Sequence, residues 1–401
     1  MGQHWTVEIE PPKALNGALE LSLLQEALAR SPELTDLATQ VARRLLIDDR
    51  FDEVIAMLEA RADHRSDYMQ CSMLVQAYMS RETEVATRRA LELARHGLTL
   101  AAEPGATAHM RADIGKALTR LGEQDAALAE LEQAIAENPW DRNAYKRIAA
   151  HHLRENQPEA ILTLADGLIA QGIGHSRLHA SRVLALAQAG DLGAAHAASG
   201  LDQFLQIGQI EAPPGWADIA SFNAALTAQL IAHPALRFDR YGTASTATWR
   251  IDTPAMREAP LVAVLQQEIA RHAEAYVARI EAIDHPWTRT RPKGGMLHNW
   301  CVLTDGEGLE EWHVHQNGWL SGTYYVAVPD CIRAGQDKGG CLAFGIPEDL
   351  VGADTAAGYG QQLLRPEPGM LTLFPSHTYH RTFAHGTSDR RICLAFDIWP
   401  R

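Results

Sequence analysis

His313, His315 and His380 are the residues whose types and spacing could do chemistry. The first two lie one residue apart in Glu311-Trp312-His313-Val314-His315. Side chains on a strand alternate with a period of two, so on an extended segment both rings project to the same side. A third histidine downstream could close a metal site. Arg391, further on, could hold an anion, because its guanidinium fork matches a carboxylate. That combination reads as a non-haem iron site in a β-barrel, with three protein ligands and open positions for other groups.

Strands must place these residues. After Pro286 the chain becomes strand-rich with frequent glycine, and strands are expected over residues 296–303, 311–315, 322–328, 340–344, 370–374, 380–384 and 391–398. Short strands at this spacing, with turn signals between them, predict an antiparallel barrel or double sheet. Alternation puts Arg391, Cys393, Ala395 and Asp397 on one face and Ile392, Leu394, Phe396 and Ile398 on the other, apolar one. Residues 259–282 carry an amphipathic pattern that predicts one helix packed on the outside of the sheet. Asn299, Trp300 and Trp319 are candidates to line a substrate mouth. His298, His377 and His385 are read as structural.

The first half is different. Residues 21–204 are rich in Ala and Leu at helical spacing, with glycine and proline mainly between segments. A repeat is visible in Ile114-Gly115-Lys116-Ala117-Leu118, Leu121-Gly122, Ala126-Ala127, Leu131 and Ala134-Ile135, ending at Asn138-Pro139. Its turn recurs 34 residues on at Asn156 and again at Gly190, with weaker copies near Asp49 and from Glu82. This resembles the tetratricopeptide repeat, which implies a helical solenoid and a surface for a protein or peptide partner. A packing scaffold or dimerisation arm is the alternative. Pro213-Pro214-Gly215 ends the pattern. The expected division is a tail at 1–19, the repeats at 20–210 and the barrel at 211–401.

Composition excludes several classes. A formal net charge of -14, with no run of Lys or Arg, disfavours nucleic acid. No apolar run is long enough to span a membrane, and no apolar signal core is expected. Met1-Gly2-Gln3-His4-Trp5-Thr6 fits the loose N-myristoylation pattern, which is too short to carry weight. Five scattered cysteines without CxxC spacing argue against a disulfide framework or thiolate zinc site, and for a reducing compartment, the cytoplasm.

Taken in order, several motifs resemble the 2-oxoglutarate/Fe(II)-dependent oxygenases of the prolyl-hydroxylase-like group. They are His313-Val314-His315, Ser321-Gly322-Thr323-Tyr324-Tyr325-Val326, Gly339-Gly340-Cys341-Leu342-Ala343-Phe344, Gly369-Met370-Leu371-Thr372-Leu373-Phe374-Pro375-Ser376 with His380, and Arg391-Ile392-Cys393. The resemblance covers about the last 110 residues well. It implies an α + β multidomain chain whose barrel is a double-stranded β-helix of the jelly-roll or cupin-like kind. It also implies Fe(II), 2-oxoglutarate as co-substrate and O2. His313, His315 and His380 would hold the metal, with no catalytic side chain beyond that site. Arg391 would pair with the far carboxylate of 2-oxoglutarate, and Tyr325 and Cys393 would line the co-substrate pocket. Most relatives have Asp or Glu where this chain has His315, so Glu311 is kept as an alternative source of a carboxylate ligand. Two other readings stay open: a non-catalytic repeat scaffold with a degenerate barrel, and a three-histidine cupin-type metalloenzyme that does not use 2-oxoglutarate.

Overall fold

The computed structural model describes residues 5–401. Gly2, on which the N-myristoylation pattern depends, lies outside the described residues. Backbone contacts divide the chain into two compact units. One is Leu15–His151; the other joins Met1–Ala14 to His152–Arg401.

Leu15–His151 is helical. Its helices Thr35–Ile47 and Phe51–Glu59, Tyr68–Ser80 and Glu84–Leu100, and Pro104–Arg120 and Gln124–Glu137 form successive hairpins. Their apolar faces share one core, including Leu45, Leu58, Leu74, Ala90, Ile114 and Ala127. Gly115 permits the close crossing of the third pair, since a Cβ there would stand 2.5 Å from Leu131 Cγ. Each hairpin turn bears one residue in the left-handed region: Asp49, Glu82 and Gly122, all with positive φ. The device recurs along the chain at Asn156, after helix Arg142–Arg154, and at Gly190, between helices Ser176–Gln188 and Leu192–Ser199. A left-handed residue just past a helix end lets the chain reverse within two or three residues. All five expected turns are therefore present, including the two weak copies.

Among the described residues, the rest of the second unit is built on eleven strands: β1 (Val7–Ile9), β2 (Gln206–Gln209), β3 (Arg237–Phe238), β4 (Ser245–Ile251), β5 (Gly295–Glu310), β6 (Leu320–Ala327), β7 (Leu342–Phe344), β8 (Gln362–Leu364), β9 (Met370–Pro375), β10 (His380–Thr382) and β11 (Arg391–Pro400). The larger sheet runs β2-β9-β6-β11-β5-β4-β3, with β1 parallel to β5; the smaller runs β10-β7-β8. One face of the larger sheet carries Leu297, Cys301, Leu303, Ile392, Leu394 and Phe396, which pack with Leu265, Ile269 and Tyr276 of helix Pro260–Ile280. Burying a side chain of this size contributes roughly 1.5–3 kcal/mol, so this layer fixes which face of β5 and β11 turns inward. The opposite face, with the smaller sheet, encloses a cavity.

The chain departs from the expected strand at 311–315. β5 ends at Glu310, and His313 makes only an isolated bridge to His380. The backbone there is held bond by bond: Glu311 N–H to Ala244 O at 2.8 Å, His313 and His380 reciprocally at 3.0 Å, and His315 N–H to Ser376 O at 3.1 Å. The segment stays extended enough for the alternation to hold, so His313 and His315 still face the same way.

Candidate metal centre and its cavity

His313, His315 and His380 converge, each offering one ring nitrogen, and these nitrogens lie within 4.8 Å of one another. The partners of the other ring nitrogens show which atoms face the centre. His313 Nδ1 donates to Glu311 O at 2.7 Å, and His380 Nδ1 to Thr378 O at 2.9 Å. His315 Nδ1 donates to Asp397 Oδ1 at 2.6 Å. A carbonyl or carboxylate oxygen can only accept, so each Nδ1 carries a proton and each Nε2 is the ring nitrogen left to face the centre. Burial, reinforced by His315, pushes His313 down to about 3, and burial beside the other two rings lowers His380 well below the ordinary histidine range. Neutral imidazoles with fixed tautomers are what a transition metal requires, so the three residues fit an Fe(II) ion.

The cavity continues from the histidines past Trp300, Val302, Thr323 and Tyr325 to Arg391 and Cys393. Arg391 is buried, and its Nη1 donates to Gly340 O at 2.9 Å. Nη2 reaches Thr382 Oγ1 at 3.4 Å, and Nε has no partner. Among the described residues no carboxylate pairs with it. Glu310 on the same cavity wall is close enough to feel its charge but forms no ion pair with it, so a dicarboxylate entering the cavity supplies the direct partner that the guanidinium lacks. Burial raises the Tyr325 phenol, against a lowering from Arg391, and pushes the Cys393 thiol up to about 11, so both are neutral walls.

The structure separates the remaining candidates. Trp300 lies on the cavity wall, edge-on to His315 at 5.2 Å, with the Arg250 guanidinium 5.0 Å over its ring. Asn299 points the other way and accepts a hydrogen bond from Gln266 at 2.8 Å, because neighbours on β5 take opposite faces. Trp319 is also not on the cavity wall. It is buried in the outer core, stacked on Trp287 at 4.4 Å. Glu311 is exposed and outside the histidine cluster.

Sequence reasoning missed Glu310. Its carboxylate lines the cavity, accepts from Ser245 Oγ at 2.6 Å, and is raised above the usual range by burial. Counting even steps along β5 from Trp300 reaches Glu310, whereas counting back from His313 reaches Glu311. The phase breaks where β5 ends. Asp397 was placed on the correct face but given no role.

Residues 298–397 match the family model described as "Putative 2OG-Fe(II) oxygenase". The barrel of this chain is a 2-oxoglutarate/Fe(II) oxygenase domain of that family. Its activity is that of an Fe(II)- and 2-oxoglutarate-dependent dioxygenase. Among solved structures, a prolyl-4-hydroxylase from Pseudomonas putida is 15% identical, with 52% of this chain and 99% of that one covered and a TM-score of 0.32. A Trichoplax adhaerens prolyl hydroxylase, solved with a hypoxia inducible factor peptide fragment, is 13% identical over 50% of this chain and 86% of its own, with a TM-score of 0.34. A TPR protein of Thermus thermophilus is 18% identical over 47% of this chain and 82% of its own, with a TM-score of 0.29. No curated protein matches the chain.

Two further histidines give the protein an acid limit. His377 and His179 stand 5.2 Å apart, and burial lowers both, His377 to about 3. His377 Nε2 donates to Ser199 O at 3.1 Å while Nδ1 is buried without a partner. Above about pH 6.5 the ring is neutral folded or unfolded; below it the unfolded chain takes up a proton that the native state refuses. Stability therefore falls as pH drops from about 6.5 toward 3, by about 2 kcal/mol at pH 5 for His377 alone. Urea unfolding at pH 7.5 and pH 5 should show a smaller difference for His377→Gln than for the natural protein. Equal differences would remove His377 as the cause.

Proposed function

We propose that His313, His315 and His380 hold Fe(II) through Nε2, and that Arg391 grips the far carboxylate of 2-oxoglutarate. The observation that carries this is a buried arginine without a carboxylate ion pair on the same cavity wall as three convergent imidazoles. Bound there, iron supplies the O2 chemistry that converts 2-oxoglutarate to succinate and CO2 and hydroxylates a C–H bond. The protein's part is placement. Thr382 and Gly340 orient Arg391, Tyr325 offers a hydrogen bond to the co-substrate, Cys393 fills its pocket, and Trp300 shields one side of His315.

The substrate we infer is a polypeptide side chain, brought by the helical repeats. Support for it is the pairing of repeat hairpins with an oxygenase domain in one chain, since stacked helical hairpins present extended binding surfaces. Five cysteines, all free, support a reducing, cytoplasmic setting. No helix among the described residues is long and apolar enough to cross a membrane.

The test is anaerobic loading of the full chain with Fe(II), addition of 2-oxoglutarate, then O2, with succinate followed over time. Succinate formed only when both iron and 2-oxoglutarate are present is the expected result. Iron binding with no protection by 2-oxoglutarate against thermal unfolding would favour the three-histidine enzyme that uses another co-substrate.

A further inference from the structure

Three neutral imidazoles bring no charge to a divalent metal, whereas a pair of histidines with a carboxylate brings one negative charge. The missing charge stands one residue farther out. Asp397 Oδ1 accepts from His315 Nδ1 at 2.6 Å and from Ser321 Oγ at 2.7 Å, and Ser321 Oγ meets Ser376 Oγ at 2.6 Å. Asp397 is buried, and among the described residues its sole ion-pair partner is His315, with no Arg or Lys paired to it. A buried carboxylate without a cation is expensive unless a positive charge arrives nearby. The surroundings are shaped for it: at Gly318 a Cβ would stand 2.4 Å from Ser376 Oγ and 3.0 Å from Asp397 Cγ. A larger residue there would collide with Ser376 Oγ and crowd the carboxylate.

We propose that Asp397 is a positioning residue that fixes the His315 ring and supplies, through it, the negative charge that the metal centre lacks among its direct ligands. The inference rests on the three-histidine iron site proposed above. A carboxylate behind a ligating histidine raises the basicity of the ring and sets its tautomer, and loss of such a partner typically costs about 10–100-fold in metal affinity.

The test uses the full chain under anaerobic conditions, titrated with Co(II) and followed by its visible absorption, alongside far-UV circular dichroism. Asp397→Asn is close to isosteric and keeps an acceptor for His315, but removes the charge. It should bind Co(II) about 10–100-fold more weakly than the natural protein, with an unchanged fold. In the His315→Asp background the same change should have the opposite sign. There it leaves one carboxylate where two adjacent ones would repel each other and compete for a proton, so the double variant should bind more tightly than His315→Asp alone. A merely structural aspartate would not reverse sign. Binding by Asp397→Asn within about threefold of the natural protein, or weakening in both backgrounds, overturns the inference. Should Asp397→Asn fail to fold, Ser321→Ala decides: it removes the hydrogen bond to Asp397 together with a 3.0 Å contact to His315 Nδ1, and should weaken Co(II) binding by a smaller factor; unchanged affinity would count against the role. Failure of the natural protein to bind Co(II) at all would instead defeat the metal site itself.

Discussion

His380→Ala yields a folded protein that no longer holds Fe(II). The side chain is removed, but the reciprocal backbone bonds between His313 and His380, both 3.0 Å, do not depend on it. β10 keeps its pairing with β7 through Phe344, Ala343 and Leu342. The loss is therefore local. Packing of the ring against Phe374, centroids 5.0 Å apart, is given up, which costs about 1–3 kcal/mol of stability. Metal affinity falls by more than the ~100-fold upper range for losing an outer partner of a ligand. Iron titration and circular dichroism on the same sample check both halves. Retained stoichiometric iron would remove His380 from the metal site, and a collapsed spectrum would show that its part is structural.

Arg391→Met has the opposite signature: iron binding persists and 2-oxoglutarate binding is lost. The guanidinium is buried and tied on one side to Gly340 and Thr382, which aims its remaining face into the cavity. Truncating one partner of a buried, hydrogen-bonded charge pair typically costs 2–5 kcal/mol, or roughly 30-fold to several-thousand-fold in affinity. Methionine spans a similar length without charge. The metal-free protein should unfold no earlier than the natural one, because a buried cation that lacks an ion pair has been removed. What disappears is the stabilisation by added 2-oxoglutarate, which follows mass action when a ligand binds only the native state. Thermal unfolding with and without the co-substrate measures this directly. An undiminished shift would assign the far carboxylate to another residue.

The sequence disclosed the barrel and the direction of its inner faces because period-two alternation is a local signal. Arg391 and Cys393 face the cavity and Ile392, Leu394 and Phe396 the outer core, as alternation along β11 requires. The repeat turns were legible for the same reason, since a left-handed residue between two helical patterns leaves a mark on composition. Position within the sheet was harder to see. Asn299 and Trp300 are neighbours in sequence, yet one meets helix Pro260–Ile280 and the other meets His315. Trp319 looked like a rim aromatic, but its partner Trp287 lies on a short helix far back in the chain. The Asp397–His315 contact joins strand β11 to an irregular segment before β6, and no local pattern announces such a pair.

β1 has a bearing on how this protein is made. Val7, Glu8 and Ile9 pair with Gly295, Met296 and Leu297, so a strand synthesised before the helical hairpins waits for a partner that leaves the ribosome after them. Leu15–His151 thus sits in the chain as an insert within the oxygenase unit, able to close its own core while that unit is still incomplete. During translation the early strand is an unpaired edge, the kind of surface that recruits chaperones or pairs with a neighbouring nascent chain. Trimming residues 5–14 to tidy an expression clone would therefore damage the catalytic half and spare the repeats.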